Sequence, residues 1–533
     1  MQKVRLREGL KINRWSLYKL GNDNYFKGEM KMKKLTILFI ALLLALCLAA
    51  CTKEDGKKSE VEKDTEKETD SKDTDTADGP ATLKIVYKDE GPSNPVAKTY
   101  FENLEKALKA DENIDVKFEL IEMPQGNYAE KLNLLLYSGE IPDIIYFQGG
   151  DQQIAQQDLL EDLTPYIEKS TNIKGILQPY NEARLENYPY LLWIKPLDSK
   201  TPVIRKDWFD QVESSKELMA NPTTDNYYKF FKELVENPPA GGGKPANAVT
   251  VAGDITELDF IFKMAFGLDQ TWLKKSDGTY EYSRISTNEK EKLTFYNKLY
   301  NEGLLDPQYL TKQWDTKEKA FYDGETAVIV GTNGKIIDIY NGKMTQVNGE
   351  DAELVVLPPA KGVSQGFAPT DITKESRGIA ISSQSNHKDI AFQVLDYLAS
   401  PKGQMVDRVG FENEHYTIVD GTIELTEKYY NEWYARFWEP AEFEPSHPLK
   451  TPLLSEPAEQ SQALAKEYYS EDNNFIIPEE LIAKWDAMEN VYKEYTTDII
   501  TGKVPVSDFD KFVEAWMKVG GDEVTKYANE NLK

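Results

Sequence analysis

The chain is poor in the residues that do most protein chemistry. It has 533 residues but only three histidines (His387, His415, His447) and two cysteines. That excludes a Cys/His zinc cluster and a Cys-x-x-Cys redox pair. Basic charge is also short: 63 Lys+Arg stand against 90 Asp+Glu, a formal net charge of −27. A nucleic-acid partner is not expected, because phosphate binding draws its affinity from basic patches. Gly241-Gly-Gly-Lys244 is followed by Pro245 and lacks phosphate-loop spacing, and no Gly-x-Ser-x-Gly elbow occurs. Neither a cofactor nor a metal is expected. No unit of 20–50 residues repeats, which excludes solenoids and propellers. What remains is a 40 % hydrophobic chain, long enough for two or more globular domains.

Both cysteines, Cys47 and Cys51, flank the end of the most apolar run, Leu35 to Leu48, which follows Lys33-Lys34. A basic region before roughly 14 uncharged residues reads as a secretory signal, too short for the ~20 residues of a bilayer span. The run ends in Leu48-Ala49-Ala50-Cys51, which looks like a bacterial lipobox, and Cys51 is the expected lipidation site. A signal should begin near its basic region, so translation is expected to start at Met30 or Met32. Residues 1–31 would then be untranslated leader and 32–50 the signal peptide. Removing residues 1–50, with ten basic and three acidic residues, leaves 53 basic and 87 acidic, a net charge of −34. Thr52 to Pro80 has 17 charged residues in 29 and no aromatic side chain, so 51–80 reads as the lipidated cysteine and a disordered acidic tether.

From Leu83 the pattern becomes that of a folded domain. Leu83–Tyr87, Asp115–Ile121 and Ile144–Phe147 read as strands, separated by helices over Pro95–Ala110 and from Tyr128 to a stop at Ser138-Gly139. Strand–helix–strand alternation specifies an α/β fold with a parallel sheet. Further strands are expected at Pro202–Ile204, Thr326–Val330, Leu354–Leu357 and Gly378–Ile381, with a helix over Asp389–Ser400 and a helical, aromatic-rich final third.

Six motifs in order give the chain a likeness. They are Tyr128-Ala-Glu-Lys-Leu-Asn133 with Ser138-Gly-Glu-Ile-Pro-Asp143; Ile204-Arg-Lys-Asp-Trp-Phe209 with Asn221-Pro-Thr-Thr224; Glu302-Gly-Leu-Leu-Asp306; Ala320-Phe-Tyr-Asp-Gly-Glu325; Ala391–Leu398; and Gly410-Phe-Glu-Asn-Glu-His-Tyr416. Over nearly all of 81–533 the chain resembles the family 1 extracellular solute-binding proteins, the sugar-capture lipoproteins of ABC importers, in a long Gram-positive subgroup. The resemblance implies a two-lobed, periplasmic-binding-protein-like fold of type II, each lobe a sheet flanked by helices, with a helical C-terminal region. It places lobe 1 at 81–198 plus 372–420 and lobe 2 at 199–371 plus 421–533. Many relatives carry a calcium loop after the Pro-Thr-Thr helix; here Glu236-Asn-Pro-Pro-Ala-Gly-Gly-Gly-Lys244 lacks its alternating carboxylates.

The implied ligand is an oligosaccharide, the implied partners are ABC permease subunits, and the molecule is expected to be a monomer on the outer face of the membrane. Sugar binding needs aromatic faces and planar polar groups. Ligands of open α/β sheets sit beyond the carboxyl ends of strands, which nominates Asp89, Gln148, Asp151 and Asn333. Arg205, beside a crossing strand, and Glu412 and His415, in the His-Tyr motif, are further candidates. The stacking candidates are Trp193, Trp208, Trp272, Trp433, Trp438 and Trp485. Each has a plain structural role open to it, as turn, cap or core residue. Two other functions share these features: a surface-anchored glycan hydrolase, which would need paired carboxylates across a cleft, and a ligand-sensing partner of a membrane histidine kinase.

Overall fold

The computed structural model describes residues 79–533, except 124–127, 140, 196–198, 242, 374–376, 434, 441 and 533. The segments expected to be leader, signal peptide and lipidation site (Cys51), and nearly all of the expected tether, lie outside the described residues. The strands in chain order begin with β1 (Ala81–Val86), β2 (Val116–Leu120), β3 (Ile144–Gln148), β4 (Lys200–Arg205), β5 (Asn247–Thr250), β6 (Trp272–Lys274) and β7 (Tyr280–Tyr282). They continue with β8 (Thr326–Thr332), β9 (Leu354–Val356), β10 (Arg377–Ile381), β11 (Tyr416–Val419) and β12 (Thr422–Leu425). Two four-stranded sheets result, ordered β10-β3-β1-β2 and β5-β8-β4-β9.

Local chemistry explains the first sheet. Asn94 caps the helix Pro95–Glu112 by accepting from the Val96 and Ala97 amides, Pro95 supplies a fixed φ, and Asn113 ends it in the left-handed region. The helix buries Ala97, Tyr100, Phe101, Leu104 and Leu108, and the chain returns as β2, parallel to β1. β3 joins β1 in parallel, and β10 pairs antiparallel with β3. In the second sheet β4 runs antiparallel to both β8 and β9, while β5 is parallel to β8.

Each sheet has its own core. The first gathers Leu83, Ile85, Phe147 and Ile379; the second gathers Ile204, Trp208, Phe230, Trp272, Tyr296 and Trp485 with the C-terminal helices. The first core also holds Trp433, Phe437 and Trp438. The chain therefore stays with the first lobe well past residue 420, where the sequence reading ended it. Asp407 is the physical reason: its buried carboxylate accepts from Tyr100 Oη (2.9 Å) and from the backbone amides of Arg436 (3.0 Å), Phe437 (2.9 Å) and Trp438 (2.9 Å). The helix Glu456–Glu467 then packs on the second lobe through Ala458 and Leu464.

The segments linking the lobes are laced together. Leu192 and Ile379 exchange two backbone hydrogen bonds, and the Glu439 amide donates to Ile194 O at 2.8 Å. The Asn333 amide donates to Ser199 O at 3.0 Å, and the Ser199 amide returns a bond to Asn333 Oδ1 at 2.9 Å. In the loop after the helix Thr224–Glu236, Trp208 Nε1 donates to Gly241 O at 2.7 Å, and the Gln211 amide side chain bonds both N and O of Ala240. Trp208 and Gln211 thus hold the described part of that loop. Among the described residues no helix is long and apolar enough to cross a membrane.

Candidate functional site

The crossings form the floor of a cleft walled by both lobes. A cavity of about 350 Å³ and another of about 270 Å³ share Trp193, Lys195 and Arg377, and a third of about 390 Å³ adjoins through Asn333, Arg408 and Gln462. Trp193 sits on the first crossing, half-buried. Its backbone carbonyl accepts from Asn181 Nδ2 at 3.0 Å, and its ring lies 5.5 Å from Tyr146, which stacks on Tyr87 at 4.3 Å and 6°. This row of rings fixes one face of the indole and leaves the rest to the cleft. Trp433 lines the same cleft, backed by His415 at 4.1 Å. Tyr180 of the first lobe and Tyr469 of the second approach within 6.0 Å across it, and Phe260 and Tyr282 add aromatic surface on the second-lobe wall.

The polar lining is basic. Among the described residues, nine Lys and Arg side chains face these cavities against four Asp and Glu, the reverse of the whole chain. The acids have protein partners. Asp259 binds Lys292 (2.7 Å) and Tyr296 (2.9 Å), Glu439 pairs with Lys195 (3.2 Å), Asp472 accepts from the Thr271 amide (2.6 Å), and Asp371 accepts from Asn474 (2.8 Å). Among the cations, Arg284 puts one guanidinium nitrogen 2.6 Å from both oxygens of Glu489 and lies over the Tyr492 ring. Lys200, Lys263 and Arg408 are half-buried and make no ion pair with a described residue. Burial pushes the Lys263 ammonium below the usual lysine pKa, opposed by Asp472 and Asp259; burial also lowers Arg408, opposed by Glu439 and Asp407. Aromatic faces, hydrogen-bonding side chains and fixed positive charge can together hold a polar solute, with affinity supplied by stacking and hydrogen bonds.

Comparison with known proteins decides the family. The model of the bacterial extracellular solute-binding proteins matches residues 91–405, more than half of the chain. The chain belongs to this family. Lipoprotein LipO of Bacillus subtilis (strain 168) is 22 % identical over 478 residues, 84 % of this chain and 92 % of LipO. The polygalacturonan/rhamnogalacturonan-binding protein YtcQ of the same organism is 21 % identical over 464 residues, 80 % of this chain and 88 % of YtcQ. Among solved structures, the EF-hand mutant of the Streptococcus pneumoniae ABC-transporter substrate-binding protein FusA, in complex with fructo-nystose, superposes with a TM-score of 0.58. It is 18 % identical and covers 84 % of this chain and 98 % of that one. The solute-binding fold is therefore shared: two α/β lobes around a cleft.

Within this solute-binding protein, the residues nominated from sequence scatter. Trp193 and Asn333 line the cleft, as does Trp433. Trp208, Trp272 and Trp438 are fully buried and Trp485 nearly so; they are core residues, with the Trp438 indole donating to Leu395 O at 2.9 Å. Arg205 is also internal, clamped on Asp207 at 2.6 and 2.5 Å and on Asn348 at 3.0 Å. Asp89 is an exposed turn residue with φ 63°, and Glu412 is exposed too. Gln148 donates to Tyr146 Oη at 2.9 Å, and buried Asp151 accepts from Tyr190 at 3.1 Å; neither is part of the cleft lining. His415 is buried, its Nδ1 accepting from the Phe411 amide at 3.2 Å, and burial lowers its pKa to about 4. Sequence reasoning missed the basic lining, since nothing local separates Lys195, Lys263 or Arg408 from other solvated cations. The one signal was position: Lys195, Lys200 and Arg377 flank the crossings.

Proposed function

We propose that this extracellular solute-binding protein captures an oligosaccharide in the cleft and delivers it to an ABC permease. The observation that carries this reading is the half-buried Trp193 ring on the first crossing, facing cavities walled by both lobes. A pyranose stacks its apolar face on such a ring while its hydroxyls bond the polar walls. Closure of the lobes about the laced crossings desolvates the ligand and presents a closed shape to the permease. The relatives support the ligand class, since FusA is described with fructo-nystose and YtcQ as binding polygalacturonan. Capture rather than turnover fits the four described cleft acids, each of which has a protein partner.

Anchoring follows the sequence: translation from Met30 or Met32, cleavage before Cys51, diacylglycerol on its thiol, and a tethered monomer outside the cell. LipO's description as a lipoprotein supports it. Replacing Cys51 by Ser should abolish palmitate labelling and release the protein to the medium; undiminished labelling would contradict the anchor.

A thermal-shift screen of plant and microbial oligosaccharides, with peptides as the second panel, tests the ligand class, because a ligand that binds only the native state raises its melting point. We expect a saccharide to raise it. A shift from peptides alone would overturn the oligosaccharide reading, and release of reducing ends would overturn capture without turnover.

A further inference from the structure

We propose that the captured oligosaccharide is anionic, carrying carboxylate or sulfate groups on both sides of the ring stacked at Trp193. This inference rests on the oligosaccharide reading and deepens it.

The molecule has a net charge of −27, yet among the described residues its cleft presents nine basic side chains against four acidic ones. A cleft built for neutral sugars has no need to invert the charge of its surroundings, and half-burying a cation without a direct ion-pair partner is unfavourable. Lys200, Lys263 and Arg408 carry that burden. The Lys200 ammonium has Thr332 Oγ1 at 3.3 Å and the Trp314 ring at 5.1 Å. Arg408 donates to Pro440 O at 3.3 Å and lies 4.4 Å over Phe443. None of these contacts is an ion pair, and Glu439 and Asp407 act on Arg408 without pairing with it directly. The Lys263 ammonium makes no hydrogen bond or ion pair to a described residue, and burial lowers its pKa even though Asp472 and Asp259 oppose the shift.

Placement strengthens the argument. Lys200 and Lys263 of the second lobe face the larger of the two cavities that share Trp193, whose first-lobe wall includes Arg184 and Arg377. Arg408 faces the other cavity and the third one beyond it. Like charges on opposite walls resist approach of the lobes, and an anion between them removes that resistance while making charge-assisted hydrogen bonds. Because the two cavities share the Trp193 floor, a single chain of at least two sugar units can meet positive charge on both sides of the indole.

The test is calorimetric titration of the purified protein with trigalacturonate, its full methyl ester, a sulfated galactan trisaccharide and neutral galactotriose. We expect an anionic trisaccharide to bind about tenfold or more tighter than its uncharged counterpart. That ratio should shrink between about 50 mM and about 500 mM salt, and in Lys263→Gln and Arg408→Gln. Uronate binding without sulfate binding identifies carboxylates as the recognised groups; the reverse identifies sulfate esters; either supports the proposal. Ester binding as tight as the acid, or binding of galactotriose alone, overturns it and leaves the oligosaccharide reading standing. Binding of no trisaccharide overturns both. The acid-to-ester ratio is measured on the unsubstituted protein, so a variant that fails to fold does not blunt the test.

Discussion

Two tryptophans of identical chemistry do opposite work here. Trp193 exposes part of its ring to the cleft, whereas Trp438 is fully enclosed and spends its indole N–H on Leu395 O. Trp438→Ala should destabilise the fold by about 3–5 kcal/mol in urea unfolding, through lost contacts and a cavity. Trp193→Ala should change stability far less and weaken oligosaccharide binding by about 1–3 kcal/mol. No feature of the sequence separated them, because helical or strand periodicity reports which side of an element is apolar, not which apolar side faces a cleft. His415 makes a second residue-scale case. Burial, with Lys428 and Arg436, lowers its pKa from 6.5 to about 4, against the pull of Glu414. The native state therefore holds the ring neutral, as its Nδ1 acceptor bond requires, while the unfolded chain takes up a proton below about pH 6.5. Its contribution is complete above that pH and is lost as pH falls toward 4. The stability difference between the unsubstituted protein and His415→Gln should thus shrink over this window by up to about 3 kcal/mol; a pH-independent difference in urea unfolding would contradict the assignment.

Elements were far more legible than side-chain roles. Ile144–Phe147 reads as a buried strand and is one; the Asn94-Pro95 start and the Gly139 stop (φ 88°) bound their helices where cap chemistry puts them. The placement of Arg436 to Trp438 in the first lobe was not legible, because its determinant is a long-range set of bonds. Asp407 gathers three backbone amides about thirty residues on, and Arg436 reaches back to Glu90, Nε to Oε2 at 2.9 Å, with both side chains buried. The sequence reading picked Asp89 after β1, one residue from the carboxylate with the structural role. Arg436→Ala should cost about 3–5 kcal/mol by leaving the Glu90 carboxylate buried without its cation, and Glu90→Leu with Arg436→Met should recover most of that loss. Equal losses in the single and double variants, measured by chemical unfolding, would show that the pair is not the source.

At the scale of the molecule, total charge described the exterior and concealed the site. A chain of net −27 gave no hint of a basic cleft, because nine cations drawn from positions 184 to 466 meet only after the lobes fold against each other. The two-lobed architecture was legible through ordered motifs, each weak alone. Closure is the molecular event the account requires, and small-angle scattering should record a smaller radius of gyration with ligand than without; an unchanged radius at saturation would argue against hinge closure. The most direct test of the central claim, that the cleft over Trp193 captures an oligosaccharide, is a saccharide titration of the unsubstituted protein and Trp193→Ala followed by melting temperature. The account predicts that a saccharide raises the melting temperature of the former and that Trp193→Ala, still folded, loses most of the shift. An equal shift in both proteins, or a peptide shift with no saccharide shift, would contradict it.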